Sequence, residues 1–428
     1  MEGANAMDDM KVIHCGFDGL DVAFACAVPS NICEILEGKK RAAQENDGKP
    51  QYVKINDFEG HVAESGARGG FAFRVDTGPE GEIWFFKRSE NSEKYNVRVS
   101  VKSATIAGFG YWDSKSKLYE KLSQLGIEVK HDRVSRVDIC LDVLMPKGWN
   151  IDPSCFVSRA DRHDHQEGKG DVATVWAQDR CSGVTVGKMP GRQFCVYDKR
   201  REITKKRKVE WWEIWQNKNP DLEELKQENK PNIWRLEFRA GKEHLRKKWD
   251  IRTFADLEAS LTDVIKAGFD AIRYCIPSSD TNRSRWETDP IWSIAAQKVV
   301  SVFEDYESGL VEGQLCEIAR KQKVKEFEGQ FRGLFASFCG LSWDQETSAI
   351  IFANSMADHL CDFLKSFAHR DKDEFLKKII KANGRYNFLE DRRTVIDEAE
   401  DVAKPDYAKP FSSSRNHEMN GGENDPPF

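Results

Sequence analysis

The 428-residue sequence predicts an α+β fold, with a module of antiparallel β-sheets flanked by helices followed by an all-helical C-terminal domain. Three observations lead there. From Lys11 to about Ala104, short stretches alternate apolar and polar residues between Gly and Asn/Asp turns. From Arg133 to about Ser278, strand patterns mix with helical ones. From Trp286 onward the apolar spacing becomes helical, as in Ile294, Val299, Val302 and Phe303, and again in Phe352, Met356, Leu360, Phe363 and Leu364.

The elements follow in order. Strands are expected at Val12–Phe17, Leu20–Ala27, Gln51–Ile55, Gly70–Asp76, Ile83–Arg88 and Asn96–Val101. A helix begins near Ser30 and runs through Leu36, and a second covers Ser114–Leu125 with Gly126 as its C-cap. The organisation predicted is a flexible arm over 1–10, an N-terminal α+β part over 11–130 and a second α+β part over 131–285. A helical domain follows over 286–400, then a tail over 401–428 whose Ser, Asn, Gly, Glu and Pro read as disordered.

Composition narrows the classes. Lys+Arg is 65 and Asp+Glu 71, a net charge of −6 that excludes a uniformly basic coat but not positive charge gathered on one surface. Twelve Trp and 25 Phe are too many for a disordered chain. No run of about 18 apolar residues suggests a membrane span, and Met1–Met10 lacks the pattern of a secretory signal. The 11 cysteines are odd in number and contain no C-x-x-C, as expected of thiols in a reducing cytoplasm.

Three strands carry the chemistry. In Arg133–Asp142, alternation puts Arg136, Asp138, Cys140 and Asp142 on one face and Val137, Ile139, Leu141 and Val143 on the other. Asp138 and Asp142 then lie roughly 13 Å apart, too far to chelate one ion unless a bulge intervenes. In Arg192–Lys199, Gln193, Cys195, Tyr197 and Lys199 share a face, and a lysine beside a tyrosine can favour its phenolate. In Ile233–Arg239, Arg235, Glu237 and Arg239 oppose Trp234, Leu236 and Phe238, with a solvated charged face as the default expectation. One sheet carrying all three would show carboxylates, a tyrosine and cations together. Such an oxygen-rich surface suits Mg²⁺ or Mn²⁺, and Tyr197 could attack a phosphate there.

At these residues the chain resembles the replication initiation factors of rolling-circle plasmids and filamentous phages, a family that includes conjugative relaxases. The matching pieces are Arg136, Asp138 and Asp142; then Tyr197, Asp198, Lys199 and Glu202; then Arg235, Glu237 and Arg239. Gly16-Phe-Asp-Gly-Leu-Asp-Val-Ala-Phe24 is similar to the family's N-terminal strand, so the likeness covers roughly 11–260. It departs at Gly187-Lys188-Met189, where many members carry Gly-Ser-Arg.

The resemblance implies a metal-dependent, strand-specific DNA nickase of a phage or plasmid in a bacterial cytoplasm. Tyr197 would become linked to the 5′ phosphate and leave a 3′ hydroxyl as primer. Asp138, Asp142 and Glu237 would be the metal ligands for Mg²⁺ or Mn²⁺, and Lys199 and Arg136 the phosphate contacts. Its partners would be duplex and single-stranded origin DNA, a host helicase and DNA polymerase, with a homodimer as a further expectation. Alternatives are a relaxase of the same chemistry and an origin-binding regulator that does not cut.

Two other motifs do not hold. His163-Asp-His165 sits in a polar, loop-like stretch rather than in a metal-binding His-hydrophobic-His pair, and Gly183–Met189 has the wrong spacing for a phosphate-binding loop. Basic charge, in contrast, is concentrated. Lys199–Lys208 holds seven cations against Glu202, among them Arg200, Arg201, Lys205, Lys206, Arg207 and Lys208, and Trp211, Trp212 and Trp215 follow. Cations with nearby rings suit single-stranded DNA; an amphipathic helix burying its tryptophans gives the same pattern. With Arg235 and Arg239 these cations form the expected DNA-binding set, and Lys242–Lys248 adds a further basic cluster. From Arg180 to Arg252 there are 20 Lys/Arg against 11 Asp/Glu.

Overall fold

The computed structural model describes residues 10–158, 172–227, 231–303, 314–343, 347–370 and 372–386. Its N-terminal half runs β1 (Lys11–Cys26), α1 (Ser30–Glu45), β2 (Gln51–Ile55), β3 (Phe58–Val62), β4 (Phe73–Asp76), β5 (Glu82–Phe86), β6 (Tyr95–Val101) and α2 (Ser103–Gln124). The second half runs β7 (Val129–Leu144), β8 (Phe156–Ser158), β9 (Val172–Ala177), β10 (Arg180–Gly187), β11 (Arg192–Asp198), α3 (Lys199–Lys206), α4 (Glu210–Lys218), β12 (Ile233–Gly241), α5 (Lys242–Trp249), α6 (Phe254–Ala271) and β13 (Ile272–Tyr274). Helices α7 (Pro290–Val302), α8 (Gln314–Ser342), α9 (Ala349–Arg370) and α10 (Lys372–Tyr386) follow. This is a mixed α+β architecture with a large antiparallel sheet and C-terminal helices.

Among the described residues, eleven strands form one sheet in the order β2-β3-β4-β5-β6-β1-β7-β12-β11-β10-β9, while β8 and β13 pair separately. The order exposes a repeat of plan that no sequence period announces. In each half a 16-residue strand comes first, a meander follows, and the last strand of the meander returns to pair with the first: β6 with β1, β12 with β7. The two long strands then pair with each other at the centre of the sheet. Each returning strand leads directly into a helix, α2 or α5, because the chain must leave the sheet once its edge partner is taken.

Local chemistry accounts for where the elements differ from expectation. The two strands expected at Val12–Phe17 and Leu20–Ala27 are one continuous β1, with register shifts at Val12/His14, Phe17/Gly19, Asp21/Val22 and Ala25/Cys26 that let one strand serve two neighbours. β3 lies outside the expected strands, since Glu59-Gly60-His61 is weakly strand-like. Packing requires the glycine: a Cβ on Gly60 would meet Val75 Cγ1 at 2.3 Å. The C-cap at Gly126 is as expected, with φ +65° and its N–H donating to the Ser123 carbonyl at 2.8 Å.

The two faces of the sheet differ. One carries the main core, in which Val22, Val97, Val137, Ile139 and Phe238 pack beneath Leu118 and Leu122 of α2, Leu257 and Val264 of α6, and Trp292 of α7. The other face is polar over most of its area and is capped at one end by α4, where Trp211, Trp212 and Trp215 pack with Leu144 and Ile233. No described residue of α8, α9 or α10 is buried, and no described helix is long and apolar enough to cross a membrane. Phe238 of β12 joins the core against Phe194 of β11, their ring centres 5.2 Å apart. Phe238→Ala should lower the unfolding free energy by about 3–5 kcal/mol, read by denaturant titration; a loss below about 1 kcal/mol would contradict this packing.

Candidate active site

Register brings the three polar strand faces together. β11, β12 and β7 pair so that Tyr197 lies beside Arg235 and Arg235 beside Asp142; Cys195 beside Glu237 and Glu237 beside Cys140; Gln193 beside Arg239 and Arg239 beside Asp138. β1 extends these rows with His14 next to Asp142, Gly16 next to Cys140 and Gly19 next to Asp138. A Cβ on Gly19 would come to 3.0 Å from Asp138 Oδ2, so the glycine leaves room for that carboxylate.

The first row is a buried ion cluster. Arg235 is fully buried and grips Asp142 with two hydrogen bonds, Nε to Oδ1 at 2.5 Å and Nη2 to Oδ2 at 2.7 Å, and its Nη1 pairs with Asp18 of β1. Asp142 also accepts from Trp215 Nε1 at 2.8 Å, and Asp18 from Ser103 Oγ at 2.5 Å. The Arg235 guanidinium lies over the Trp211 ring at 4.0 Å. Burial alone would push the Asp18 carboxyl up, but the charges of Arg235 and Lys199 hold it well below the usual carboxylate range.

The next rows hold the reactive geometry. The half-buried Tyr197 donates its hydroxyl to Glu237 Oε2 at 3.1 Å. Arg239 holds Glu237 through Nε–Oε1 at 2.6 Å and Nη2–Oε2 at 3.0 Å. Arg136 holds Asp138 through Nε–Oδ1 at 2.8 Å and Nη2–Oδ2 at 2.6 Å. The side chains of Arg239 and Arg136 are 28% and 36% exposed, which leaves both open to an anion arriving at this face. Burial pushes the Tyr197 phenol well above its ordinary value, and Glu237 adds to the effect. Tyr197 is therefore a neutral phenol whose proton has an acceptor already in contact. The cation that opposes this shift is Arg235, and burial outweighs it.

Several expected roles do not fit this geometry. Asp142 is wholly buried, and both of its oxygens are hydrogen-bonded, to Arg235 and Trp215. Asp138 and Glu237 each close on an arginine, and among the described residues no three carboxylate, imidazole or thiol groups converge as a metal site requires. The expected ligand set Asp138, Asp142 and Glu237 is thus not assembled. Lys199 is buried at the start of α3 and pairs with Glu202 at 2.9 Å, and the Trp211 ring lies 4.7 Å from its Nζ. That position denies it the phosphate contact expected of it. Arg235 is equally unavailable to DNA. The face of β12 expected to be solvated is instead a packed polar network.

The basic segment divides. Trp211 and Trp215 are fully buried and Trp212 nearly so, which settles their role as core rather than base-stacking rings. Lys199, Lys206 and Lys208 all converge on Glu202, holding its carboxyl down to about 2 against the opposing effect of burial, and Arg207 pairs with Glu326 of α8. Arg201 and Lys205 are exposed, and Arg200 is half-buried. His163 and His165 lie outside the described residues. Sequence reasoning missed Asp18 as a member of the site; its signal was its place in the polar Asp18-Gly19-Leu20-Asp21 run within a strand otherwise rich in apolar residues.

No family profile and no curated protein sequence matches the chain. Among solved structures, it is similar to a rolling circle replication initiator protein from Geobacillus stearothermophilus. The similarity has 12% identity and a TM-score of 0.34 over 67% of this chain and 97% of the other.

Arg235→Met strands two buried carboxylates and should cost about 3–5 kcal/mol of stability, whereas replacing Arg235 and Asp142 together by apolar residues should recover part of it; equal losses would contradict the pairing. For Asp138, burial and the Glu237 charge raise the carboxyl to about 7 despite Arg136 and Arg239. A carboxyl raised on folding stabilises fully below its unfolded value, and that contribution is lost as pH rises from about 4 to about 7. Asp138→Asn should therefore match the parent near pH 4 and melt higher than it above pH 7; the opposite order in thermal melts would contradict the raised carboxyl.

Proposed function

We propose that this chain cuts a DNA strand by attack of Tyr197 on a phosphodiester, as a rolling-circle replication initiator does. The observation that supports the reading most is the contact of the Tyr197 hydroxyl with Glu237 at 3.1 Å on a face flanked by Arg239 and Arg136. A phenol this strongly held in its neutral form needs a base at the moment of attack, and Glu237 lies within the distance that proton transfer requires. The sequence resemblance through Tyr197, Glu237, Arg239 and Arg136 points the same way.

In the proposed step, the Tyr197 oxygen bonds to phosphorus as its proton passes to Glu237. The bond from phosphorus to the 3′ oxygen breaks, and that oxygen leaves with a proton from solvent as a 3′ hydroxyl. The 5′ phosphate stays on Tyr197, where Arg136 and Arg239 can offset its charge. Arg239 also orients Glu237 through its two hydrogen bonds, so it acts on the base as well as on the phosphate. The free 3′ hydroxyl is a primer for a polymerase, and the covalent phosphate keeps the bond energy for rejoining. A conjugative relaxase would use the same step at a transfer origin.

The test is strand cleavage of single-stranded oligonucleotides tiled over the chain's own replicon. Glu237→Gln should slow the single-turnover rate by about 10²–10⁴-fold and Tyr197→Phe should abolish it. A Glu237→Gln rate equal to that of the parent would remove the base, and cleavage by Tyr197→Phe would remove the nucleophile. Oligonucleotides that bind but are never cut would favour the regulator alternative.

A further inference from the structure

The polar face does not stop at Tyr197. It continues across β7 and β1 into the N-terminal half of the sheet, where the next rows change character. Pairing places Arg133 beside Ala23, Ala23 beside Arg98, Arg98 beside Phe85 and Phe85 beside Arg74, one residue from each of β7, β1, β6, β5 and β4. At about 4.8 Å per strand the row spans roughly 19 Å. Val134 and Val22 point to the core, which sets Arg133 and Ala23 on the opposite face, shared with Asp21 and Arg136. The row therefore runs beside the rows of Arg136 and Asp138.

Two of its three arginines, and the neighbouring Lys87, lie on rings. The Arg98 guanidinium is 4.2 Å from the centre of Phe85 and 5.3 Å from that of Phe71, Lys87 is 4.9 Å from Phe71, and Arg133 is 3.9 Å from Tyr95. No carboxylate pairs with Arg74, Lys87, Arg98 or Arg133 among the described residues, and Arg98 Nε is buried without an acceptor. At α3 the balance is different: three lysines share Glu202, and Arg207 is held by Glu326. The structure offsets part of the charge around α3, and it leaves Arg74 of β4, Lys87 just after β5, Arg98 of β6 and Arg133 of β7 without a carboxylate partner. Small alanine at position 23 keeps the middle of the row low. Towards the β2 edge of the same face, α10 meets β3 through the Gly384 carbonyl and His61 Nε2, 2.8 Å apart.

We infer that this row, from Arg74 through Arg98 to Arg133, is a binding track for the single-stranded DNA that leads to Tyr197. The inference rests on the cleavage reading for its ligand. Flat guanidiniums fixed on rings offer a stacking plane to an unpaired base and N–H edges to its phosphates. A duplex, whose bases are already stacked, needs only the charge. The unpaired cations supply the electrostatic part, with nothing to displace before a phosphate binds.

The experiment is fluorescence anisotropy of a labelled 20-nucleotide oligothymidylate with full-length protein across a salt series. Arg98→Gln with Arg133→Gln should weaken binding about tenfold and flatten the slope of log affinity against log salt by about 1.4, two cations at about 0.7 each for a single strand. Arg98→Lys with Arg133→Lys should keep the slope and still lose affinity, because the charge stays and the stacking plane goes. This lysine pair also carries the test if the glutamine pair does not fold by circular dichroism. Unchanged affinity and slope in a folded glutamine pair would overturn the track, as would an equal loss confined to Lys205→Gln with Arg207→Gln. Using Tyr197→Phe protein separates the two claims. If cleavage fails but the glutamine pair still loses binding, the track stands alone; if cleavage is seen and binding is unaffected, the track falls and the cleavage reading remains.

Discussion

Arg235 is the residue on which the site depends. It is buried in the middle of the sheet and satisfies carboxylates from two other strands, Asp142 of β7 and Asp18 of β1, while Trp211 of α4 covers its face. Burying a guanidinium and two carboxylates is costly unless each is paired and hydrogen-bonded, and Trp215 and Ser103 complete the set. The cluster ties β1, β7, β12, α2 and α4 into one arrangement. Tyr197 sits next to Arg235 in the pairing of β11 with β12, so the position of its hydroxyl follows from this buried network.

This division of labour explains why residues of one motif do such different things. Arg235, Glu237 and Arg239 are two residues apart on one strand face, yet the first is a buried tie, the second the partner of the tyrosine and the third a partly exposed cation. Asp138 and Asp142 differ in the same way, one clasped by an arginine at the open part of the face and the other sealed beneath α4. Depth along the strand, measured from the tryptophan cap, decides each role. Spacing alone treats them as equivalents.

The apolar faces were legible because period two holds without tertiary information: Val137, Ile139, Leu141 and Val143 are buried as alternation requires. The polar faces were legible as faces, and the three strands do share one surface. What alternation could not supply was the lateral register, which sets Asp142 against Arg235 and Asp138 against Arg239. Nor could it show that the tryptophans following the basic run turn inward and that three lysines of the run converge on Glu202. The unpaired arginines on β4, β6 and β7 were missed because they are scattered in sequence, at 74, 98 and 133, and only the sheet gathers them.

The most direct test is the atom to which DNA becomes attached. Protein incubated with a cleavable single-stranded oligonucleotide, digested with protease and nuclease and sequenced by tandem mass spectrometry should carry a nucleotide phosphate on the peptide containing Tyr197, through the phenolic oxygen. Attachment at another residue, or cleavage with no covalent product, would contradict Tyr197 as the nucleophile and Glu237 as its base.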